Sequence, residues 1–149
     1  MGGCQKISNL TVLKRMKDHS AFLDTNILLY LLSEDETKSI RAENTIAAGG
    51  MISVQVLNEF ASVARKKLNM SFAEIREFLT HICLVCPVIP ITVKIHDQGL
   101  QIAECYGFSI YDALIVAAAL SAGCVTLYSE DMQDNQLIDG RLLIRNPFI

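Results

Sequence analysis

The sequence lacks a long apolar run. Its longest charge-free stretch, residues 113–129, is interrupted by Ser121 and Gly123 and falls short of the roughly 20 apolar residues that a membrane-spanning helix needs. The N-terminus also lacks the apolar segment of a signal peptide. We therefore expect a cytoplasmic protein that makes no contact with a membrane.

Cysteine and histidine are too few and too scattered for a zinc site. The five cysteines are an odd number, and His19, His81 and His96 lie far apart in the chain. Cys83 and Cys86 have the C-x-x-C spacing, but a zinc site needs a second pair or histidines at ligand spacing. We interpret these two cysteines as small buried hydrophobic residues.

Motifs for phosphate loops and covalent catalysis are missing as well. The chain has no G-x-x-x-x-G-K, no G-x-G-x-x-G and no credible serine or cysteine triad. It also has no internal repeat, low-complexity segment or interdomain linker. At 149 residues it fits one domain. Residues 1–19 show no sustained pattern, so we expect an N-terminal extension of unknown order before a single domain of residues 20–149.

Basic residues are scarce after the first twenty positions. The formal net charge is −3, yet four basic residues and one acidic residue stand before position 20, so the remaining chain is more acidic than the total indicates. Acidity repels RNA. The densest basic group is Arg65, Lys66 and Lys67, our candidate RNA contact, although it ends a predicted helix and there also suits the helix dipole.

Hydrophobic residues make up 51% of the chain, and they fall in short runs that alternate with helical patterns. Predicted strands cover residues 21–23, 51–53, 87–91, 124–128 and 141–144, whereas residues 132–140 are predicted as a polar loop or short helix. This alternation predicts an α/β fold of three layers (α/β/α) with a central parallel sheet of about five strands. The apolar content favours a homodimer through the helix at 26–32 or the one that begins at Ser71.

Three Ser-x-x-acid patterns predict the starts of helices. They pair Ser33 with Glu36, Ser71 with Glu74, and Ser109 with Asp112. The helix after Asp112 has no polar face, so we expect it to be buried on nearly all sides.

Asp24 directly follows the first predicted strand. The carboxyl end of a parallel strand faces the crevice in which open α/β sheets bind ligands. Asp24 is equally well placed to cap the next helix, because Asp oxygens accept hydrogen bonds from free backbone N–H groups. The stretch of residues 21–30 leaves both interpretations open.

Three further acidic residues are expected at the same edge of the sheet. Asp131 follows a strand, and Asp112 shares a helix face with the apolar residues at i+3, i+4 and i+7, which turns its carboxylate inward. Glu59 lies in the second turn of the helix after strand two, where a solvated surface position fits its spacing equally well. Helix capping for Asp112 and loop solvation for Asp131 are the structural alternatives.

Carboxylates without histidine or cysteine partners provide hard oxygen ligands. Such a cluster suits Mg²⁺ or Mn²⁺, which retain waters and bind substrate phosphates. Its catalytic use is a metal-activated water that attacks a phosphodiester, with one or two ions.

Four segments resemble the motifs of the PIN (PilT N-terminal) domain family. They are LDTN at 23–26, SVQVLNEF at 53–60, SIYDALIVAAA at 109–119 and YSEDM at 128–132. The closing NPF at 146–148 is similar to the ending of bacterial VapC-like toxins. The resemblance covers residue 20 to the C-terminus, with the motifs in order and at compatible spacing.

The resemblance implies an α/β/α fold and a Mg²⁺- or Mn²⁺-dependent ribonuclease. Many members are toxins of type II toxin–antitoxin pairs, held inactive by a small antitoxin, and they commonly dimerise. The family's metal-binding and catalytic acids carry over to Asp24, Glu59, Asp112 and Asp131, with supporting roles for Asn26 and Ser129. Such toxins usually begin almost at the first strand, so residues 1–19 depart from the pattern.

Three alternatives stay open. A PIN nuclease can serve RNA processing rather than act as a toxin. A metal-dependent phosphatase would use Asp24 as its nucleophile, but the Asp-x-Asp pattern of HAD-type enzymes has Asn at position 26. A non-catalytic interaction module would keep the fold, although the presence of all four acids speaks against it.

Overall fold

The computed structural model describes residues 20–149, and the predicted extension of residues 1–19 lies outside the described residues. The described part forms β1 (Ala21–Leu23), α1 (Thr25–Tyr30), α2 (Glu36–Ala47), β2 (Ile52–Ser53), α3 (Val54–Lys67), α4 (Phe72–Val85), β3 (Val88–Ile89), α5 (Val93–Tyr106), α6 (Ile110–Ser121), β4 (Thr126–Tyr128), β5 (Leu137–Ile138) and β6 (Leu142–Arg145).

Five parallel strands form the centre of the fold. One sheet has the order β1-β4-β6-β5, with β1, β4 and β6 parallel, and β2 pairs with β3 in parallel beside it. Met51 joins the two sheets: its N–H donates to the carbonyl of Ala21 and its carbonyl accepts from the N–H of Leu23, both at 2.9 Å. All five predicted strands are present, and the predicted α/β class is confirmed.

The prediction of a polar loop or short helix over residues 132–140 is wrong in one part. Residues 137–138 form β5, which reverses at Asp139 and Gly140, both with positive φ, and pairs antiparallel with β6. Ile138 is fully buried and Leu137 is exposed. A two-residue strand is too short for this alternation to register as a pattern.

Helix α6 forms much of the core, as its composition predicts. Its seven consecutive residues Ala113–Ala119 are all buried. Helix α5 packs closely against it at Gly99, where a Cβ atom would lie only 2.9 Å from Cδ2 of Leu114. Among residues 20–149 no single helix is long and apolar enough to span a membrane. Helices α5 and α6 have that length and apolarity only when taken together, and the pair is bent by 116°.

The helix starts follow the predicted patterns with one correction. Ser71 and Glu74 form the full capping box, in which Ser71 Oγ accepts from the N–H of Glu74 at 3.1 Å and Glu74 Oε1 accepts from the N–H of Ser71 at 2.9 Å. Ser33 does not cap α2, since its Oγ accepts from the N–H of Asp35 at 3.0 Å, one residue before the helix begins. Asp35 caps α2 instead.

The two predicted dimer faces differ in their exposure. Helix α1 keeps Ile27 and Leu28 fully buried, so it offers little free apolar surface. Helix α4 exposes Phe72 by 61%, Leu84 by 79% and Val85 by 62%. The structure therefore leaves α4 as the better of the two candidate faces.

The C-x-x-C pair is split between the interior and the surface. Cys86 is buried where α4 ends, as predicted, but Cys83 is exposed and both thiols are free. The prediction of a buried residue is wrong for Cys83, because this position lies on the solvent side of α4 and its spacing from Cys86 does not encode burial.

Candidate active site

Four acidic side chains line one pocket at the carboxyl edge of the sheet. Asp24 follows β1, Asp131 follows β4, Asp112 lies in the first turn of α6, and Glu59 lies in the second turn of α3. The pocket has a volume of about 230 Å³. Its remaining lining residues come from α1 and α3: Thr25, Asn26, Leu29, Ser62 and Val63.

Asp24 combines the two interpretations that the sequence left open. Its backbone is extended at the N-cap of α1, and its Oδ1 accepts from the N–H of Thr25 at 2.7 Å. Its Oδ2 accepts from the hydroxyl of Ser129 at 2.7 Å. The side chain is 3% exposed. Asp24 therefore begins a helix and also places a buried carboxylate at the pocket.

Asn26 and Ser129 tie the start of α1 to the loop after β4. Asn26 Nδ2 donates to Asp131 Oδ2 at 3.1 Å, and its Oδ1 accepts from the N–H of Glu130 at 3.3 Å. Ser129 is fully buried, and its Oγ accepts from the N–H of Met132 at 3.2 Å while it donates to Asp24. The two residues with predicted supporting roles thus hold the acids in place.

Glu59 belongs to the pocket rather than to the solvated surface. It is half-buried, and its Oε2 accepts from the hydroxyl of Thr25 at 2.7 Å. Helical spacing left this position undecided because the pocket wall lies between the core-facing stripe of α3 and its solvent face. The packing of α1 against α3 decides it.

Burial and mutual repulsion both oppose ionisation of these acids. Burial raises the pKa of Asp24 to about 7, against the hydrogen bonds from Ser129 and Thr25, which lower it. Burial is also the main cause of the raised pKa of Glu59 and of Asp112, and the charge on a neighbouring acid adds to each shift: Asp112 for Glu59, Asp131 for Asp112. A bound cation would relieve this repulsion.

The donor set fits a hard divalent cation that is held partly through water. The pocket offers carboxylate, amide and hydroxyl oxygens, the ligands that Mg²⁺ prefers. Across residues 20–149, no three His, Cys, Asp or Glu side chains are close enough to ligate one ion together. Mg²⁺ usually retains several waters and takes one or two carboxylates directly. The wider spacing of the four acids agrees with that mode of binding.

The predicted RNA contact does not reach the pocket. Arg65, Lys66 and Lys67 are exposed in the last turn of α3, roughly 9 Å along the helix axis from Glu59. Arg65 is engaged elsewhere, since its Nη1 donates to the carbonyl of Met70 at 2.9 Å and its guanidinium lies 4.6 Å from the ring centre of Phe72.

A larger cavity of about 500 Å³ lies between α5, the C-terminal half of α6 and the turn between β5 and β6. Asp139 contributes a carboxylate to its lining, but this group pairs with Arg141 at 2.9 Å. This cavity therefore lacks the convergence of acids that marks the smaller pocket.

Sequence reasoning missed several residues around the pocket. The sequence pattern assigns no role to Thr25, whose hydroxyl donates to Glu59. Tyr30, Lys38 and Glu130 form hydrogen bonds to one another beside the pocket, and Lys38 and Glu130 lie 92 positions apart in the chain. No local pattern signals a contact at that distance.

The model of the PIN domain family matches residues 21–135. The chain belongs to the PIN domain family. This PIN domain is similar in fold to solved structures of three toxins or toxin complexes. They are a toxin–antitoxin complex from Klebsiella pneumoniae, VapBC2 from Rickettsia felis bound to a DNA fragment from their promoter, and VapC20 from Mycobacterium tuberculosis, a toxin that cleaves the sarcin-ricin loop. No curated protein matches the sequence.

These similarities are similarities of fold. The Klebsiella complex has a TM-score of 0.66 at 23% identity and covers 86% of this PIN domain chain and 98% of its own. For VapBC2 the TM-score is 0.61 at 20% identity, with 85% and 97% covered, and for VapC20 it is 0.58 at 20%, with 75% and 90% covered. The predicted PIN domain is thereby confirmed by the family match, and the solved toxins share its fold.

Replacing Asp24 by Asn should stabilise the metal-free PIN domain above neutral pH. Because the pKa of Asp24 is raised in the folded protein, the free energy of unfolding falls as the pH rises. The fall begins near the ordinary pKa of about 3.9 and ends near the folded-state pKa of about 7. That shift corresponds to at most ~4 kcal/mol. Asn carries no charge and still caps a helix. At pH 8 in EDTA, Asp24→Asn should therefore melt at a higher temperature than the wild type, and the difference should shrink at pH 5.

The matched control is Asp139→Asn, which removes an exposed acid outside the pocket and should change the free energy of unfolding by less than about 0.5 kcal/mol. If Asp24 served only as a cap, its replacement would instead leave the stability at pH 8 unchanged or lower it.

Proposed function

We propose that the protein is a Mg²⁺- or Mn²⁺-dependent endoribonuclease and the toxin of a type II toxin–antitoxin pair. The observation that carries this proposal is the convergence of four carboxylates from four separate elements on one pocket of a PIN fold. Family membership supports a nuclease. The lining of that pocket contains neither histidine nor cysteine, which favours oxygen-bound metal chemistry over a covalent nucleophile.

The four acidic residues divide between two roles in this proposal. Asp24, Asp112 and Asp131 would hold the ion directly or through its waters, and Asn26 fixes the carboxylate of Asp131. A bound Mg²⁺ or Mn²⁺ would supply an activated water and neutralise charge on the phosphodiester. Glu59 suits proton transfer, because burial raises its pKa above the usual value and its side chain lines the pocket.

The partners in the proposal follow the neighbouring structures. The Klebsiella pneumoniae structure is a toxin–antitoxin complex, and VapC20 cleaves the sarcin-ricin loop, which is RNA. We extend both features to this chain as a small antitoxin partner and an RNA substrate, and we propose that it acts in the cytoplasm. A role in RNA processing would use the same pocket and the same chemistry.

The phosphatase alternative is disfavoured by Asn26, which stands where HAD-type enzymes have the second aspartate of Asp-x-Asp and donates to Asp131 at 3.1 Å. An interaction module without activity has no need to hold four mutually repelling acids in one pocket.

The wild type should cleave RNA in Mn²⁺ and lose that activity in EDTA. Asp24→Asn and Asp112→Asn should each lower the cleavage rate by about 100-fold or more, because each removes a charge that holds the cation. Asp139→Asn should cleave like the wild type. The readout is the initial rate on a structured RNA, run beside a small phosphate ester. Hydrolysis of the ester but not of RNA would indicate a phosphatase, and no hydrolysis of either would indicate an interaction module.

Replacing the three basic residues at the end of α3 should weaken RNA binding. If Arg65, Lys66 and Lys67 each contact a phosphate, changing all three to Gln should lower the slope of log affinity against log salt by about 2. A double variant that changes only Lys66 and Lys67 to Gln should remove part of that slope. It leaves the contacts of Arg65 intact. Arg76→Gln, exposed on α4, is the control. A salt slope equal to that of the wild type would exclude these residues from the RNA interface.

We also propose a homodimer through α4, whose exposed Leu84 and Val85 lie near its C-terminal end. Light scattering at micromolar concentration should give twice the mass of the chain for the wild type. Leu84→Glu with Val85→Glu should give the mass of one chain without loss of helix content, because both side chains are exposed. A monomeric mass for the wild type would contradict the dimer.

A further inference from the structure

Glu130 adjoins the acidic pocket but turns away from it. It precedes Asp131 in the chain, yet it does not line the pocket. The hydroxyl of Tyr30 donates to its Oε1, and Nζ of Lys38 donates to its Oε2 at 3.2 Å. Lys38 Nζ also donates to the Tyr30 hydroxyl at 3.0 Å, which closes a triangle of three side chains. We call Tyr30, Lys38 and Glu130 the clamp.

The clamp rests on helix α2 and on the C-terminal segment. The ring of Phe148 meets the ring of Tyr30 edge-on, with 4.6 Å between their centres. Lys38 Nζ lies 4.4 Å from the centre of the Tyr30 ring. Arg41, one turn after Lys38, donates to the carbonyls of residues 147 and 149 at 3.1 and 3.2 Å. The ring of Tyr30 therefore contacts both Phe148 and Lys38, and its hydroxyl donates to Glu130.

The backbone of Glu130 connects the clamp to the acids. Its N–H donates to Oδ1 of Asn26, and Nδ2 of the same Asn26 donates to Asp131. On the other side, Ser129 bonds Asp24, and its N–H donates to the carbonyl of Arg145 at 3.0 Å. Glu130 is thus held by its side chain in the clamp and by its backbone N–H on Asn26, the residue that also donates to Asp131.

The clamp also controls a fifth negative charge beside the pocket. Released from Tyr30 and Lys38, the Glu130 carboxylate could rotate toward four acids that already repel one another. The side chains of Lys38 and Glu130 are 36% and 27% exposed, so their ion pair adds little to overall stability. Its consequence is local, in the placement of residues 129–132.

We propose that Tyr30, Lys38 and Glu130 are positioning residues, which fix the loop that carries Asp131 and keep Glu130 out of the metal-binding pocket. The inference rests on the proposed function for its effect on catalysis. Its effect on the loop itself is independent of any activity.

The test combines hydrogen exchange with kinetics on four variants of the full chain. Tyr30→Phe removes one hydroxyl and keeps the ring on Phe148, Lys38→Met removes the cation, Glu130→Ala removes the carboxylate, and Lys38→Arg is the conservative replacement. Tyr106→Phe is the matched control, because it removes a phenol that accepts a backbone N–H from Asp139 away from the acidic pocket. Thermal melts establish that each variant is folded. If one of the three disrupting variants is unfolded, the test uses the other two.

In the metal-free protein, we expect the amide hydrogens of Glu130 and Met132 to exchange about 10-fold faster in Tyr30→Phe, Lys38→Met and Glu130→Ala than in the wild type. With Mn²⁺, these variants should need about 10-fold more metal for half-maximal cleavage, the loss expected when a supporting hydrogen bond to a metal site is removed. The KM for RNA should stay unchanged. Lys38→Arg should restore both properties, and Tyr106→Phe should match the wild type.

A double-mutant cycle decides whether Tyr30 acts through Glu130. In the Glu130→Ala background, Tyr30→Phe should add nothing to either readout. Exchange at Glu130 and Met132 that stays at the wild-type rate in Tyr30→Phe and Lys38→Met, or a full additional effect in the double variant, would overturn the clamp. Faster exchange in a protein that cleaves no RNA would support the clamp as a loop anchor and overturn the proposed function alone.

Discussion

The acidic pocket is arranged around a carboxylate buried at the end of the first strand. Asp24 is 3% exposed, and burial disfavours its charge. Two strong hydrogen bonds, from the N–H of Thr25 and the hydroxyl of Ser129, partly offset that cost. They also connect three elements, because Thr25 opens α1 and Ser129 follows β4. The two hydrogen bonds that stabilise the buried carboxylate therefore also hold the ends of β1 and β4 next to each other.

The other three acids are placed by larger features of the fold. The parallel pairing of β1 with β4 aligns Leu23 with Tyr128, so the residues that follow both strands emerge at one edge of the sheet. Helix α6 is buried along most of its length and presents Asp112 at its N-terminal end. Helix α3 reaches the pocket through the contact of Glu59 with Thr25. A core built for close packing thus holds charges that repel one another, which is a local cost to stability and typical of functional sites.

The sequence allowed prediction of the features that depend on local pattern. The five parallel strands, the capping box at Ser71 and the buried α6 follow from hydrophobic periodicity and turn chemistry, which act over a few residues. Strand β5 was not predicted, because two residues show no period. Cys83 was predicted as buried but is exposed, because its spacing from Cys86 does not define which side of α4 it occupies. The position of Glu59 and the clamp depend on contacts between distant segments. Only the packing of α1 against α2 and α3 creates them.

The acidity of the described chain and a substrate made of phosphates are compatible if metal and RNA bind as a coupled pair. Without a cation, the four acids of the pocket repel a phosphodiester. A divalent ion at that position neutralises part of this charge and gives the phosphate oxygens a ligand site, so each partner raises the affinity for the other by the same factor. Basic residues around the pocket are then less necessary for binding. This agrees with the placement of Lys38, which directs its charge at Glu130, and of Arg65, which is committed to Met70 and Phe72. In the proposed nuclease, the cation would therefore provide the attraction for phosphate that the acidic pocket itself does not provide.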